Sequence, residues 1–555
     1  MGILAVYDTT GIQSFIFATN KLRENVGASI LIRKVLVDYL EETLKEVFND
    51  IGANGSEHVI VDWTVRRGKP LEIASNPNIY AEIIYVGGGN AYIAYKDKET
   101  YVSATKIFLY KVYDYTVGIG IASAYTETDF TGGYNEQFHQ LQINLANAKG
   151  KNNRPIPAGN QPITTASIQT GLPITCYKEY KIEGSDQPPE FEWMSAEQRL
   201  KCKARDDRYG ENSIKNKEFS DLEYGNSFLA VIHLDGNSMG NAIQEYSKGG
   251  DWNEIVPRIR EMSLRITQLY EKAYSHVLKR LSKHCNIENT DDLPHIKIIG
   301  EGDDITCVMA GQYGLSFAAE LLRTIESSNN NDNIYPFPKW KEIRPGKNKP
   351  RISACAGVVI YHSHYPFSAA YKIAEECCSN AKRYTRNADK HTNGAVGSFI
   401  DFHLHQSGAI IDLNQLRREQ YQAYETQNDS TKTERIYNRP YCVSDDAIFE
   451  GKYPKYSVFE RIMQNWAMAH KYYQNNKNQW PRSRLKALRN AIPMGSNAVN
   501  DVINWCKSRG YILPDDYDQV SEIADILNFS QQNKSRYSQL FDVLEFADIY
   551  EDITK

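Results

Sequence analysis

The order of predicted strands and helices occurs twice along the chain, and this repetition constrains the fold more than any other feature of its 555 residues. The first copy opens with a strand at "ILAVYD" (3–8), followed by amphipathic helical material. Two strands, "AEIIYV" (81–86) and "AYIAY" (91–95), then flank the turn sequence "GGGN", which is a hairpin signal. A helix near 98–112 and a strand in "TVGIGIASA" (116–124) complete the unit.

The second copy has the same order after residue 225. Its predicted elements are a strand "SFLAVIHLD" (227–235), a long amphipathic helix near 253–285, the strands "HIKIIG" (295–300) and "ITCVMAG" (305–311) around "EGDD", a helix at about 312–328 and a strand "RISACAGVVI" (351–360). A β-α-β-β-α-β order is typical of the ferredoxin-like fold. The sequence therefore predicts an α+β protein with two ferredoxin-like domains.

The regions outside the two copies complete a division into four parts. Residues 131–222 are poor in periodic apolar pattern and contain the loop signal "KGKNNRPIPAGNQP", which is typical of a connector. From residue 406 the pattern is helical, with candidate helices near 456–474, 482–491, 497–508 and 519–528. We expect a first repeat at 1–130, a connector at 131–222, a second repeat at 223–405 and a helical domain at 406–555.

Composition excludes several classes of protein. Apolar residues make up 41% of the chain, but no apolar run approaches the roughly 18 residues needed to span a bilayer. The first residues lack a basic segment and a cleavage site, so we expect a soluble cytoplasmic protein with no membrane partner. The nine cysteines have no C-x-x-C spacing, which favours unrelated thiols, Cys176 and Cys202 included, over disulfides or a zinc site. A net charge of −5 requires that any nucleic acid be held by a local patch or a partner.

Two adjacent carboxylates, Asp303 and Asp304, occupy the turn of the second predicted hairpin. Two unit negative charges about 4 Å apart repel by about 4 kcal/mol at an effective dielectric constant of 20. A pair of divalent metal ions would compensate for this repulsion. Asp235 ends the strand expected to lie beside the hairpin, so the pattern predicts a metal cluster of Asp235, Asp303 and Asp304. The alternative is a solvent-facing turn, in which Asp is common.

The loop "DGNSMG" (235–240) follows the opening strand of the second copy. Backbone amides that precede a helix can bind phosphate groups. This interpretation makes Gly236, Asn237, Ser238 and Gly240 candidate nucleotide-binding residues. An ordinary strand-to-helix turn is the alternative.

Several motifs occur in an order that resembles one known family. They are "GIQSFIF", "GGGN", "DGNSMG", "GEGDD", "ISACAGVVIYHSHYPFSAAYKIAEECCSNAK" and "GSFIDFHLH". Together they resemble the large subunit of type III CRISPR effector complexes, the CRISPR polymerase of antiviral defence. The resemblance implies two Palm domains related to GGDEF cyclases and adenylyl cyclases. The first Palm is degenerate in that family, and the second carries a GGDD hairpin that joins ATP molecules into cyclic oligoadenylate with two metal ions.

The resemblance also implies roles for individual residues. Asp235, Asp303 and Asp304 would be catalytic, and these three together with Gly236 would hold two Mg²⁺ or Mn²⁺ ions. Gly302 in the hairpin would contact nucleotide. Lys382 matches a position that contacts nucleotide phosphate in the GGDEF relatives, although a solvated lysine at a helix end is an equal alternative. In the first Palm, Gly88, Gly89 and Asn90 would form an acceptor platform for a second nucleotide.

Three departures from the family pattern are visible. Glu301 stands where the hairpin motif begins with Gly, and it would crowd the nucleotide pocket or add a ligand. The chain contains no His-Asp dipeptide, so nuclease activity of the HD type is not expected. The cysteine knuckle between the Palms is not recognisable. The sequence resembles a reduced version of the family.

The predicted function is a metal-dependent nucleotidyltransferase that makes a cyclic oligonucleotide from ATP or another NTP. One alternative is an inactive scaffold that holds RNA and protein partners through the C-terminal helices and the basic loop "FPKWKEIRPGKNKPR" (337–351). A charge run of this kind is more often a solvated insertion. A GGDEF-like cyclase making a dinucleotide is the other alternative. The expected partners are NTPs, and RNA, CRISPR-type effector subunits or a second copy of the chain are further candidates.

Overall fold

The structure of the protein is a computed structural model. It describes residues 1–49, 57–151, 159, 161–180, 190–210, 218–391, 396–406, 412–422, 436–449, 452–473, 480–511 and 539–554.

Among the residues that the structure describes, the strands form two large sheets and one small one. They are β1 (Gly2–Thr10), β2 (Val59–Ile60), β3 (Ala81–Gly87), β4 (Asn90–Tyr95), β5 (Gly120–Thr128), β6 (Ile174–Tyr180), β7 (Glu190–Ser195), β8 (Phe228–Gly236), β9 (His295–Glu301), β10 (Asp304–Ala310), β11 (Ala354–His362), β12 (Phe399–His405) and β13 (Tyr441–Cys442).

The helices lie between these strands and continue after them. They are α1 (Ile12–Ile16), α2 (Leu22–Lys34), α3 (Leu40–Phe48), α4 (Lys98–Thr116), α5 (Tyr134–Gly150), α6 (Ala196–Tyr209), α7 (Met239–Tyr246), α8 (Trp252–Cys285), α9 (Gly314–Ser327), α10 (Trp340–Ile343), α11 (Phe367–His391), α12 (Leu413–Gln420), α13 (Tyr456–Tyr473), α14 (Arg482–Ala491), α15 (Ser496–Ser508) and α16 (Gln539–Phe546). A π-helical turn joins α2 to α3.

The first repeat folds into a five-stranded sheet with the strand order β2-β3-β4-β1-β5. Each neighbouring pair from β3 to β5 in this order is antiparallel: β3 with β4, β4 with β1, and β1 with β5. The helices α2, α3 and α4 cover one face, where their apolar residues pack with Ile3, Ala5 and Tyr7 of β1. This is the β-α-β-β-α-β topology predicted from the sequence.

The second repeat has the same antiparallel core, with the order β11-β8-β10-β9, and β12 and β13 extend it beyond β11. Ala230, Ile232 and Leu234 of β8 pack with α8 and α9 on one face. Leu229 and Val231 point to the other face and pack with apolar residues of α11. The predicted α+β fold class with two such domains is confirmed. The division into four parts at residues 130, 222 and 405 stays a prediction.

One predicted strand is much shorter than expected. The sequence "HVIVDWTV" (58–65) predicts a strand, but only Val59–Ile60 pairs, at the edge of the first sheet. The Asp62 carboxylate accepts hydrogen bonds from the Thr64 hydroxyl and the Val65 amide. This local turn ends the strand, since such side-chain bonds compete with a sheet ladder.

The C-terminal part contains the helices expected at 456–474, 482–491 and 497–508. The helix expected at 519–528 lies outside the described residues. Within the described part of the chain, no helix is both long and apolar enough to cross a membrane.

A buried ion pair joins the two repeats. Arg260 of α8 and Glu82 of β3 are both completely buried, and Nη2 of Arg260 lies 3.0 Å from Oε1 of Glu82. The same guanidinium donates to the carbonyl oxygens of Ile83 and Ile84, each at 2.9 Å. The long helix of the second repeat is therefore fixed to the hairpin of the first.

Candidate active site

The acidic residues of the second repeat lie at one end of its sheet. Asp304, the first residue of β10, is the direct register partner of Asp235 in β8 and of Glu301 in β9. Paired residues of adjacent strands point to the same face of a sheet. Three carboxylates, Glu301, Asp304 and Asp235, therefore form a row across neighbouring strands.

Asp303 occupies the turn and lies over Gly236. A Cβ atom on Gly236 would stand 2.5 Å from Oδ2 of Asp303 and 2.9 Å from the Tyr270 hydroxyl. The Gly236 amide donates to the Asp303 carbonyl oxygen at 3.2 Å. Gly302 completes the turn with φ of +62°, in the left-handed region that favours glycine. Both glycines are thus needed for the close approach of the hairpin to β8.

Burial and the repulsion of neighbouring charges raise the pKa values of Asp303 and Asp304. Burial raises the pKa of Asp304 to about 8, and the charges of Asp235 and Asp303 add to that increase. Burial and then the charge of Asp235 raise the pKa of Asp303 as well. Among the described residues, Oδ1 of Asp304 is buried without a hydrogen-bond partner. A cation at this end of the sheet would relieve both the repulsion and the lost solvation.

Lys382 supplies one positive charge to the site. Its Nζ lies 2.5 Å from Oδ2 of Asp235 and donates to the Gly236 carbonyl oxygen at 3.1 Å. The residue lies inside α11, and 22% of its side chain is exposed. A solvated lysine at a helix end, the alternative left open by the sequence, does not describe this position.

Two buried residues beside the carboxylates were not singled out from the sequence. The Nδ1 atom of His233 lies 3.5 Å from Oδ1 of Asp304 and 3.1 Å from the Thr306 hydroxyl. Burial lowers the pKa of His233 to about 4, so the ring is neutral at pH 7. Burial, with the charge of Asp303 added, raises the pKa of Tyr270 well above 10. His233 precedes Asp235 by two residues in a strand, and this spacing predicts that both side chains lie on the same face of the sheet. Nothing in the helical pattern of the sequence distinguishes Tyr270.

A cavity of about 400 Å³ opens beside Asp235 and Asp303. It is lined by Asp235, Gly236, Asn237, Ser238, Met239, Gly240, Asn241, Asp303, Lys382, Thr385 and Arg386. The predicted loop residues are therefore brought together with two of the three predicted catalytic carboxylates. Asp304 is outside the lining. Thr385 and Arg386 were missed, although Arg386 follows Lys382 by four residues, the spacing of one helix face.

The loop residues divide into two kinds. The Asn237 side chain is buried and donates to the Ser353 hydroxyl at 3.1 Å and to the Gly397 carbonyl oxygen at 3.2 Å, so it anchors the loop. Ser238 has a left-handed conformation and precedes α7 without a side-chain cap. The first-turn amides of a helix have no intrahelical acceptor. The N-terminus of α7 therefore offers the cavity backbone donors for an anion.

The donor set suits a hard divalent ion, but the side chains do not form a closed cage. Within the described ranges, no group of three His, Cys, Asp or Glu side chains is arranged to hold a metal ion. The reason is local: Asp304 lies against His233, Asp303 lies over Gly236, and Asp235 is paired with Lys382. Carboxylate and backbone carbonyl oxygens are the ligands that Mg²⁺ prefers, together with water and phosphate. Asp235, Asp303 and the Gly236 carbonyl could supply them, with Asp304 beside them.

The first hairpin turn lies against the second. Gly88 and Gly89 have φ values of +60° and +76°. The position of a Cβ atom on Gly302 would be 3.9 Å from both Cα and N of Gly88. Asn90, whose Nδ2 donates to the Gly88 carbonyl oxygen at 3.1 Å, is the register partner of Asp8. Of the predicted acceptor residues, Gly88 thus lies against the acidic hairpin.

Glu301 adds a further acidic group beside this contact. Burial raises the pKa of its carboxyl, and Arg33 of α2 opposes that increase. The residue does not line the cavity of about 400 Å³. Glu301 lies on β9 opposite Asp304, so its carboxylate adds to the acidic hairpin and does not crowd this cavity.

The basic loop 337–351 is largely folded onto α7. Arg344 donates to the carbonyl oxygens of Glu245 and Lys248, at the end of that helix. The Trp340 ring stacks on Tyr246, with ring centroids 6.0 Å apart. The loop therefore supports the helix that lines the cavity.

Comparison with known proteins identifies part of the chain. Residues 228–389 match the family "Cas10/Cmr2, second palm domain". No curated protein matched the sequence. Among solved structures, an apo Csm1–Csm4 cassette and Csm1 of T.onnurineus each align with 12% identity and a TM-score of 0.49, covering 100% of this chain and 70% of theirs. A Csm1–Csm4 cassette in complex with cA4 aligns with 12% identity and a TM-score of 0.41, covering 86% of this chain and 63% of that one.

Proposed function

Because the chain carries a Palm domain like that of Cas10/Cmr2, which confirms the resemblance seen in its motifs, we propose that it is a metal-dependent nucleotidyltransferase. Its substrate would be ATP or another NTP, and its product a cyclic oligonucleotide that acts as a messenger in CRISPR-type antiviral defence. The proposal concerns the second Palm and the hairpin turn of the first repeat that faces it.

One observation carries the proposal. Asp235 and Asp303 share a single cavity with the N-terminus of α7, Lys382 and Arg386. Acidic groups beside donors for anions are what a metal-bound triphosphate requires, since the carboxylates bind the metal and the amides and cations bind phosphate. A cavity built only for an anion would not place two carboxylates in its wall.

The residues have separate roles in this proposal. Asp235, Asp303 and the Gly236 carbonyl would hold two Mg²⁺ or Mn²⁺ ions, with Asp304 as a further acidic group. When bound, such ions lower the pKa of a ribose hydroxyl and neutralise developing phosphate charge. The α7 amides, Lys382 and Arg386 orient the triphosphate. Lys382 exchanges its partner Asp235 for a phosphate oxygen, so the ammonium does not compete with a metal ion.

The first Palm would position a second nucleotide. Gly88 and Gly89 have no side chains, and Gly88 lies close to Gly302 of the acidic hairpin, so a nucleotide bound at the first turn would be next to the second Palm. Asn90 offers an uncharged amide where the second Palm has Asp304. Asp8, the counterpart of Asp235, is neutralised by Lys149, whose Nζ lies 2.7 Å from Oδ2 of Asp8. This arrangement suits an acceptor platform that binds no metal.

Product analysis tests the proposal. The protein is incubated with each NTP alone and in pairs, with Mg²⁺ or Mn²⁺, and the products are identified by mass spectrometry. We expect a cyclic oligonucleotide from the native chain and none from the Asp303→Ala, Asp304→Ala double variant. Asp292→Asn, which removes an exposed carboxylate just before β9, is the matched control and should keep full activity. Unchanged product formation by the double variant would refute the mechanism, and a cyclic dinucleotide product would identify a GGDEF-like enzyme.

The ion pair between Asp235 and Lys382 favours one rival, an inactive scaffold in a CRISPR-like effector complex. In that case the lysine is a permanent substitute for metal, and RNA, effector subunits or a second copy of the chain are the ligands. Thermal unfolding separates the two functions, because a ligand that binds the folded state raises the melting temperature. We expect ATP to raise it only when Mg²⁺ or Mn²⁺ is present. A scaffold would show no metal-dependent shift.

A further inference from the structure

The ribbon of β6 and β7 carries three exposed aromatic side chains on one face. Tyr177, Phe191 and Trp193 are 62%, 60% and 62% exposed. Tyr177 is the register partner of Trp193, with ring centroids 5.4 Å apart, and the Phe191 ring lies 6.3 Å from that of Tyr177. Side chains alternate between the faces of a strand, and Met194 is accordingly buried on the inner face. A contiguous exposed aromatic surface of this kind marks a binding site.

Two cations of α6 share a cavity with Tyr177, one of the three aromatic residues. This cavity of about 270 Å³ is lined by Cys176, Tyr177, Lys178, Met194, Arg199, Cys202, Lys203 and Asp206. Both cations are exposed, and they are four residues apart, on the same side of the helix. Within the described part of α6, the ion pairs are Lys201 with Glu197 and Arg205 with Asp206. Arg199 and Lys203 have no acidic partner there, so their charges are available to a ligand.

The other charged groups of the ribbon are placed differently. Lys178 is paired with Asp206, its Nζ 2.7 Å from Oδ2. Glu192 accepts from Lys21 and Arg23 on the inner face. Glu179 is exposed on the aromatic face, opposite Phe191. Arg199 and Lys203 therefore lie on the α6 side of Tyr177, beside an Asp206 carboxylate that is already paired with Lys178 and Arg205, whereas Glu179 lies opposite Phe191.

We propose that this face binds single-stranded nucleic acid. Bases stack on Tyr177 and Trp193, and the phosphates pass Arg199 and Lys203, away from Glu179. Exposed aromatic rings beside unpaired cations are the combination that sequence-independent single-strand binding uses. A protein partner would bury the rings equally well, but charged residues are depleted from the cores of protein interfaces. The site does not depend on the proposed catalytic activity, and it lies on the connector, outside the loop 337–351 expected from the sequence to hold RNA.

Fluorescence anisotropy of the full chain with labelled 12-nucleotide oligouridine and oligothymidine tests the site. We expect Tyr177→Ala and Trp193→Ala each to weaken binding by about tenfold, because each removes one stacking contact. We expect Arg199→Gln with Lys203→Gln to weaken binding and to reduce the slope of log affinity against log salt by about 1.4, the value for two phosphate contacts on a single strand. The ring variants should leave that slope unchanged. The two oligonucleotides show whether RNA is preferred to DNA.

Matched controls distinguish binding at this face from binding elsewhere on the chain and from loss of folding. Lys341→Gln with Lys347→Gln removes two exposed lysines from the loop 337–351 and should leave binding unchanged. Asp303→Ala with Asp304→Ala should also bind as the native chain does, which keeps this test independent of the nucleotidyltransferase proposal. Thermal unfolding confirms that each variant is folded. The proposal is overturned if the native chain binds neither oligonucleotide, if the ring and cation variants bind as tightly as the native chain, or if Trp193→Ala abolishes only self-association in sedimentation velocity.

Discussion

Asp8 and Asp235 occupy equivalent positions in the two repeats, and each carboxylate is paired with a lysine from a following helix. Nζ of Lys149 in α5 lies 2.7 Å from Asp8, and Nζ of Lys382 in α11 lies 2.5 Å from Asp235. The repeats differ at the register partner, which is Asn90 in the first and Asp304 in the second. One lysine balances the single carboxylate of the first repeat. One lysine cannot balance the three carboxylates of the second, Asp235, Asp303 and Asp304, and this difference is why we propose the second repeat as the site for a divalent cation.

Replacement of Lys382 tests its proposed role at the phosphates. We expect Lys382→Met to reduce product formation by about 100-fold, since removal of a donor aimed at transition-state charge has an effect of that size. Metal binding should persist because Asp235 is then free. Steady-state assays and Mn²⁺ titration measure the two effects. Lys111→Met, which removes a lysine that pairs with Glu42 and Glu46 on the first repeat, is the control and should keep full activity.

The buried His233 ring predicts an acid-dependent loss of stability. Burial lowers its pKa to about 4, below the 6.5 of an exposed histidine, so the unfolded chain binds this proton more tightly than the folded one. Above about pH 6.5 His233 is neutral in both states and does not reduce the free energy of unfolding. As the pH decreases toward 4, protonation of His233 in the unfolded chain lowers this free energy by at most about 3 kcal/mol. Thermal unfolding from pH 7 to pH 4 should show a steeper decline for the native chain than for His233→Gln. Parallel declines would contradict this prediction.

Gly27 determines how the connector packs on the first repeat. A Cβ atom there would lie 1.8 Å from the Lys201 carbonyl oxygen, so α2 and α6 cross in direct backbone contact. We expect Gly27→Ala to lower the free energy of unfolding by about 1–3 kcal/mol or more, because the two backbones must separate. Urea denaturation measures the change. Gly68, which has no described atom within 4 Å of its Cβ position, is the matched control, and Gly68→Ala should stay within about 0.5 kcal/mol of the native chain.

The ion pair of Arg260 and Glu82 should be essential to the relative position of the hairpins. Arg260→Met leaves a buried carboxylate without its charge partner, and we expect a loss of about 3–5 kcal/mol. Adding Glu82→Gln should restore part of this loss, since the neutral amide can still accept from the Glu72 and Ile73 amides that bond Glu82. A double-mutant cycle by chemical denaturation measures the recovery. Additive losses in the double variant would show that the charge interaction has no role.

The sequence predicts much of the fold because its signals are local. Strand alternation and the two hairpin turns place Asp235 beside Asp303 and Asp304, since a tight turn determines the register of its strands. The sequence pattern predicts too long a strand at β2, because the end of this strand depends on the turn at Asp62. Other contacts have no local signal: Arg260 and Glu82 are 178 residues apart, and Lys149 and Asp8 are 141 apart. These pairs depend on the path of the whole chain.

In the candidate site, too, the features with a local sequence signal were predicted and those that depend on distant residues were not. The loop 236–240 and the acidic hairpin were identified because their residue types are unusual at those positions. The orientation of each carboxylate could not be predicted, because it depends on neighbours such as His233 and Tyr270 that a turn motif does not reveal. Asn237 was expected to bind nucleotide, whereas its side chain bonds to Ser353 and Gly397.

A crystal structure of the protein with Mn²⁺ and a non-hydrolysable ATP analogue tests the central claim most directly. Anomalous scattering locates manganese independently of any assumption about its ligands. We predict anomalous peaks bound by Asp235 and Asp303, the triphosphate at the N-terminus of α7, and Lys382 moved from Asp235 to a phosphate oxygen. Manganese bound elsewhere, or an analogue absent from this cavity while Lys382 stays on Asp235, would contradict the account.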